Sequence, residues 1–262
     1  MSTIFIAVAA LGSLGLLFGL ILSYIGIKLG TEEDPKLAAL RELLPGVNCG
    51  GCGLAGCSAF AEDLFAGKAD SGGCPAGDAE LSRKLAEVMG LSAPEFIRMT
   101  AYVKCIGSNT RSKSLYNYKG FNDCRAQVKQ TGGGPKACGY GCLGGGNCYE
   151  ACVFDAIRIV DGVAVIDNEK CTGCTVCIRA CPKDIIDIAP YENGIRMRCD
   201  SRDSARVVRA NCDAGCIGCQ LCEKSCEHDA IRMEGNLAVI DYEKCTACNA
   251  CVEPCPRKCI GL

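Results

Sequence analysis

Cys171-Thr-Gly-Cys174-Thr-Val-Cys177-Ile-Arg-Ala-Cys181-Pro182 reads C-x2-C-x2-C-x3-C-P, and Cys245-Thr-Ala-Cys248-Asn-Ala-Cys251-Val-Glu-Pro-Cys255-Pro256 reads the same. In such a run three cysteines wrap one [4Fe–4S] cluster and the fourth reaches across to a neighbouring one. Closely spaced thiolates suit soft iron–sulfur centres, whereas a hard cation wants oxygen ligands. Twenty-five of the 262 residues are cysteine, so the chain reads first as a scaffold for such clusters.

Composition supports that reading. Aromatic residues make up 6%, Trp is absent and glycine numbers 32. Large apolar side chains therefore do not supply an ordinary core, and clusters are expected to act as packing centres. The one histidine, His228, excludes multi-histidine zinc or haem sites and is expected to be solvated. A net charge of −2 carries no global nucleic-acid signature. A disulfide scaffold is a poor rival, because the cysteine count is odd and the triplets crowd their thiols. A structural zinc–thiolate protein is the harder rival, although zinc favours separated C-x2-C pairs over triplets with a distant fourth.

Ile4 to Ile27 is an apolar stretch of 24 residues without a charge, long enough to span a bilayer. Nothing basic precedes it, unlike the start of a signal peptide, so residues 1–30 read as a retained single-pass anchor. Lys28, Lys36 and Arg41 follow, which places the C-terminal bulk in the cytoplasm. The reducing conditions that clusters need for assembly point independently to the same side. Gly15-x3-Gly19 and Ser23 form a small-residue stripe, either ordinary glycine usage or a seat for another membrane helix.

Residues 31–92 read as a small helical domain. Helices are expected over Pro35–Leu44, Ser58–Ala66 and Ala79–Met89, the last preceded by Asp78 and stopped by Gly90. Between them, Cys49, Cys52, Cys57 and Cys74 are assigned one [4Fe–4S] cluster, with Gly50, Gly51 and Gly53 permitting a tight wrap. The segment resembles the helical four-iron domain of the corrinoid iron–sulfur protein family.

After residues 93–134, read as a linker with Cys105 and Cys124, the chain repeats itself. A shift of 74 residues lays Cys152–Ile186 on Cys226–Ile260 without a gap, so one structural unit is used twice, over 135–195 and 196–262. Each unit resembles a bacterial 2[4Fe–4S] ferredoxin. Ile157–Val160 and Val163–Ile166 are expected to pair around Asp161-Gly162, and short helices to follow the cysteine runs. The overall class is α+β.

The crossover rule then assigns four more clusters. They are Cys138, Cys142 and Cys148 with Cys181; Cys171, Cys174 and Cys177 with Cys152; Cys216, Cys219 and Cys222 with Cys255; and Cys245, Cys248 and Cys251 with Cys226. Cys138 stands in as third ligand because Gly145 occupies the place of Cys219. Five clusters result. Cys105, Cys124, Cys199 and Cys212 either close a sixth or are structural thiols. Cys259 aligns with Ile185 and reads as a buried apolar residue.

Gly139-Tyr-Gly-Cys-Leu-Gly144 spells G-x-G-x-x-G, but no strand precedes it and Cys142 sits inside it. With no Walker A sequence and no flavin or nicotinamide signature, the chain is expected to pass single electrons. Arg98 to Lys136 carries eight Lys or Arg against one acid, Asp123. That run, and the group Arg196, Arg198, Arg202, Arg206 and Arg209, are either solvated faces or docking patches for an acidic electron carrier.

Gly46-Val-Asn-Cys-Gly-Gly-Cys-Gly53, Lys136-Ala-Cys-Gly-Tyr-Gly-Cys-Leu-Gly144 and Ala238-Val-Ile-Asp-Tyr-Glu-Lys-Cys245, in this order behind an anchor, resemble the B-subunit family of the Rnf complex, the ion-translocating ferredoxin:NAD+ oxidoreductase of bacterial cell membranes. The resemblance spans the chain, with Val153 and Glu227 standing where ferredoxins carry Pro. It implies an electron-transfer subunit of a translocase. Soluble ferredoxin would be the donor, the other Rnf membrane subunits the partners, and Na+ or H+ the pumped ion. A polyferredoxin of another membrane redox complex is the alternative. No nucleic-acid partner is expected.

Overall fold

The computed structural model describes residues 2–29 and 34–261. The expected start of the helical domain at Thr31 lies outside them. Helix α1 (Ser2–Leu29) contains a stretch, Ile4–Gly26, of 23 residues with mean hydropathy 2.5 and no side chain buried against the protein. At 1.5 Å per residue such a stretch is about 35 Å long, enough for a bilayer core. A Cβ added at Gly15 or Gly19 would meet nothing within 4 Å, so the small-residue stripe has no partner among the described residues.

Three helices follow: α2 (Pro35–Leu43), α3 (Cys57–Phe65) and α4 (Ala79–Met89). Their ends have local causes. Asp34 accepts from Lys36 N at the start of α2, and Asp78 accepts from Leu81 N at 2.8 Å at the start of α4. Gly90 closes α4 in the left-handed region, φ 71°. Helix α3 has no capping side chain of its own. Asn48 Oδ1, from the preceding loop, accepts from Cys57 N at 2.8 Å instead. Leu40, Phe60, Ala61, Leu64 and Leu85 are buried between the three helices.

The segment expected as a linker is built into the fold. Strand β1 (Met99–Val103) leads to α5 (Cys124–Val128), α6 (Asn147–Glu150), β2 (Ile157–Val160), β3 (Val163–Ile166), α7 (Val176–Ala180) and β4 (Ile186–Pro190). Strand β1 pairs antiparallel with β4, Met99 opposite Pro190 and Val103 opposite Ile186. Strands β2 and β3 form the expected hairpin. Asp161 and Gly162 both take positive φ, 46° and 72°, as the tight two-residue turn requires.

The second unit repeats the plan: β5 (Arg196–Met197), α8 (Ala205–Asn211), α9 (Leu221–Lys224), β6 (Ile231–Glu234), β7 (Leu237–Ile240) and β8 (Ile260–Gly261). Met197 opposes Ile260, as Val103 opposes Ile186. Helices α6, α7 and α9 fall inside the cysteine runs rather than after them. The three residues between the third and fourth cysteines supply their single turn. The last run forms turns only, with Ala247 and Asn249 at positive φ.

Three of the eight basic residues of the expected run are engaged structurally, while Arg111, Lys113, Lys119, Arg125 and Lys129 are exposed. Lys136 is buried. Lys104 faces Asp187 and Asp200. Arg98 lies 3.9 Å over the Tyr191 ring and donates to the carbonyls of Asn168 and Glu169. Arg196 is likewise buried, donating to the carbonyls of Asn193 and Pro190.

The helical domain sits directly on the first unit. A Cβ added at Gly51 would lie 2.7 Å from Cys174 O and 2.8 Å from Pro75 Cγ. Arg179 donates across the same contact to Gly50 O. Arg179→Glu, which removes the donor to Gly50 O without touching the helical domain's own loop, is expected to loosen the two bodies while each keeps its iron. Faster proteolysis between residues 90 and 99 at unchanged iron content would register this, and unchanged proteolysis would contradict it.

Candidate cluster sites

The second unit shows how the thiols are placed. Cys216, Cys219, Cys222 and Cys255, with Cys259 beside them, line one cavity of about 320 Å3, and Cys226, Cys245, Cys248 and Cys251 line another of about 330 Å3, both open to the surface at an exposed cysteine. Each cavity takes three thiols from one run and the fourth from the other, because the β6–β7 hairpin folds the runs side by side. His228 borders the second cavity and is exposed. In the helical domain, Cys49 and Cys74 each lie within electrostatic reach of the other and of Cys57, and Cys49 also of Cys52. In the first unit, Cys177 lies within electrostatic reach of Cys171, Cys174 and Cys152.

The remaining grouping differs from the sequence expectation. A cavity of about 370 Å3 is lined by Cys124, Cys142, Cys148 and Cys181, without Cys138. Gly145 explains the exchange. A Cβ there would lie 2.6 Å from Cys124 N, so the start of α5 occupies the space that a cysteine side chain at 145 would need. Asn147, beside Cys148, fixes that helix end: its Oδ1 accepts from Cys124 N, and its Nδ2 donates to Asp123 Oδ1. Cys138 instead lines a separate cavity of about 480 Å3 together with Cys105, Cys199 and Cys212. The signal for this was in the sequence, since the 74-residue shift lays Cys138 on Cys212.

Burial governs the thiols' chemistry. It pushes Cys148, Cys177 and Cys199 up to about 12, and Cys222 and Cys251 up to about 11, since a thiolate is penalised in an apolar surround. Cys259 does more than fill space. It is 2% exposed in the second unit's core, and its Sγ lies 3.7 Å from Cys255 Sγ. Hydrogen bonding with Cys259 lowers Cys216 and Cys255 to about 6 and about 5, and raises Cys259 itself. The equivalent Ile185 can make no such hydrogen bond.

Among the described residues no three Cys, His, Asp or Glu side chains converge on the position of a single ion. A tetrahedral thiolate site with Zn–S of about 2.3 Å would need that convergence. Thiols standing around cavities suit a polynuclear group whose own body keeps its ligands apart.

Family models match where these sites lie. The model described as "Putative Fe-S cluster" matches residues 44–76, "4Fe-4S binding domain" matches 164–187, and "4Fe-4S dicluster domain" matches 208–262. The chain is 41% identical over its whole length to the B subunit of the Na(+)-translocating ferredoxin:NAD(+) oxidoreductase complex of Acetobacterium woodii, covering 78% of that protein. It is 39% identical to the B subunit of the ion-translocating oxidoreductase complex of Methanosarcina acetivorans, with both chains fully covered. The chain belongs to the B-subunit family of ion-translocating oxidoreductase complexes. A third member, the B subunit of the proton-translocating ferredoxin:NAD(+) oxidoreductase complex of Clostridium ljungdahlii, is 38% identical over 98% of this chain and 91% of its own. As a member of this family the chain is an iron–sulfur electron-relay subunit, and its apolar N-terminal helix suits a membrane complex.

Cys174→Ala and Cys248→Ala are each expected to lose about four irons, one cubane's worth, while the anchor still inserts. Unchanged iron content in both would contradict the thiol groupings. Because buried thiols held near 11–12 must shed protons to bind iron, loading of apo-protein is expected to release protons and to strengthen from about pH 7 to about pH 9. Loading independent of pH would contradict this.

Proposed function

We propose that this chain is a membrane-anchored wire that accepts electrons one at a time from reduced soluble ferredoxin. It delivers them to the membrane subunits of an ion-translocating ferredoxin:NAD(+) oxidoreductase. The observation that carries the proposal is the succession of neighbouring thiol sites between the second unit and the anchored helical domain. Cys199 accepts from Cys216 N and Cys105 from Cys142 N, and Cys148 lies within electrostatic reach of Cys177 and Cys49 of Cys174.

Each unit is taken to be a ferredoxin-type pair of clusters, and the ligands follow the cavities. Cys124, not Cys138, joins Cys142, Cys148 and Cys181. The other four sets are those expected from the crossover rule and, in the helical domain, from spacing. The bulk of the chain faces the cytoplasm, supported by the basic residues after the anchor and the need for reduced thiols. Ile4–Gly26 holds no Asp, Glu, Lys, Arg or His, so ion movement falls to other subunits.

Entry at the second unit is supported by exposure. Cys219 and Cys248 are exposed, whereas every other described cysteine is partly or fully buried. Arg202, Arg206 and Arg209 are exposed too, and Asn236 ties the Arg202 carbonyl to the loop that passes Gly218. An acidic donor steered to these arginines meets the Cys219 edge. Arg206→Glu with Arg209→Glu is expected to slow reduction by ferredoxin roughly tenfold at low salt, with the difference fading at high salt. Dithionite should reduce both forms alike. A ferredoxin rate unchanged at low salt would contradict docking at this face.

A further inference from the structure

Cys105, Cys138, Cys199 and Cys212 line the cavity where the two units meet, and the matched family segments include only Cys212 of the four. Their arrangement repeats the chain's internal duplication. Cys105 lies two residues beyond β1, and Cys199 two beyond β5. The sulfur of Cys105 accepts the N–H of Cys142 at 3.3 Å, and that of Cys199 accepts the N–H of Cys216 at 3.2 Å. Cys142 and Cys216 are themselves 74 apart, as are Cys138 and Cys212. Each unit therefore contributes the same two thiols to one shared site.

The surroundings suit an anionic group. Lys136 is 4% exposed, and its ammonium donates to the carbonyls of Gly107 and Gly162 without an ion pair among the described residues. A buried cation is stabilised by negative charge nearby, and the Asp161 carboxyl and the thiols of Cys105 and Cys142 are acidic groups within its electrostatic reach. Arg257 donates to the Cys212 and Gly215 carbonyls on another side. The backbone of the first unit's insertion is stitched to the second unit beside the site, by Lys113 N to Asn211 O and Asp213 N to Arg111 O.

We infer that these four thiolates hold a sixth [4Fe–4S] cluster, and that electrons cross from one unit to the other through it. The inference rests on the relay reading above. One electron arrives from the cluster site beside Cys199, whose donor is oxidised by one electron. The same electron then leaves to the site beside Cys105, and no bond or proton is exchanged. The original source is the low-potential soluble carrier.

The test uses the full chain purified without oxygen. Six cubanes predict about 24 irons with matching sulfide, and five predict about 20. Cys138→Ser and Cys212→Ser are each expected at about 20, and the double variant also at about 20, since both remove one cluster. Cys124→Ser with Cys138→Ser is expected at about 16, since these remove two. In Cys138→Ser, ferredoxin should still reduce the second unit's clusters while the first unit's EPR signals lag.

A wild-type count of about 20 irons, the total for five cubanes, would overturn the inference without reference to any variant. So would one zinc per chain lost specifically in Cys138→Ser, or wild-type iron in both single variants. A chain with about 20 irons that still cycles electrons would refute the sixth cluster alone. A chain without iron would refute the relay as well.

Discussion

The burial of many thiols in groups of four is the constraint on which this fold depends. A cavity lined by four sulfurs is poorly filled by protein atoms, and each thiolate opposes its neighbours. The hydrophobic clusters of both units nonetheless include many of those cysteines, among them Cys142, Cys148 and Cys177 in one and Cys216, Cys222 and Cys251 in the other. Only a group that bonds all four, spreads their charge and fills the space turns the arrangement from cost into stability. The apolar remainder, chiefly Ile157, Val163, Ile185 and Ile186 in one unit and Ile195, Leu237, Ile240 and Ile260 in the other, closes around the sites.

The same constraint explains the asymmetry between two otherwise equivalent units. Where the second unit has Cys219, the first has Gly145, and the missing sulfur arrives from a separate helix. The stretch from Cys105 to Cys142 is 37 positions, against 17 from Cys199 to Cys216. The extra residues carry Cys124 inward and also supply the backbone that meets the second unit. The first unit's substitute ligand is buried, while Cys219 is exposed. One unit is thus closed within the molecule and the other opens to the surface.

Much of this is legible in the sequence where chemistry is local. The hairpin at Asp161-Gly162 follows from a turn that demands positive φ, and α4 follows from Asp78 and Gly90. The cluster runs follow from spacing alone. Strand β1 is not legible, because its partner lies more than 80 residues away and five residues of Met-Thr-Ala-Tyr-Val carry a weak pattern. The choice between Cys124 and Cys138 is misled by nearness along the chain. Gly145 points to a ligand from elsewhere, and the repeat offset already pairs Cys138 with Cys212. The contact of Cys259 with Cys255 is hidden by its alignment with Ile185, since that alignment marks the position only as buried.

Analysis of iron and acid-labile sulfide on the full chain, purified under strict exclusion of oxygen, tests the central claim most directly. The account predicts iron and sulfide in equal amounts, with a visible absorption that bleaches on reduction. Zinc or no metal, with no sulfide released on acidification, would contradict it.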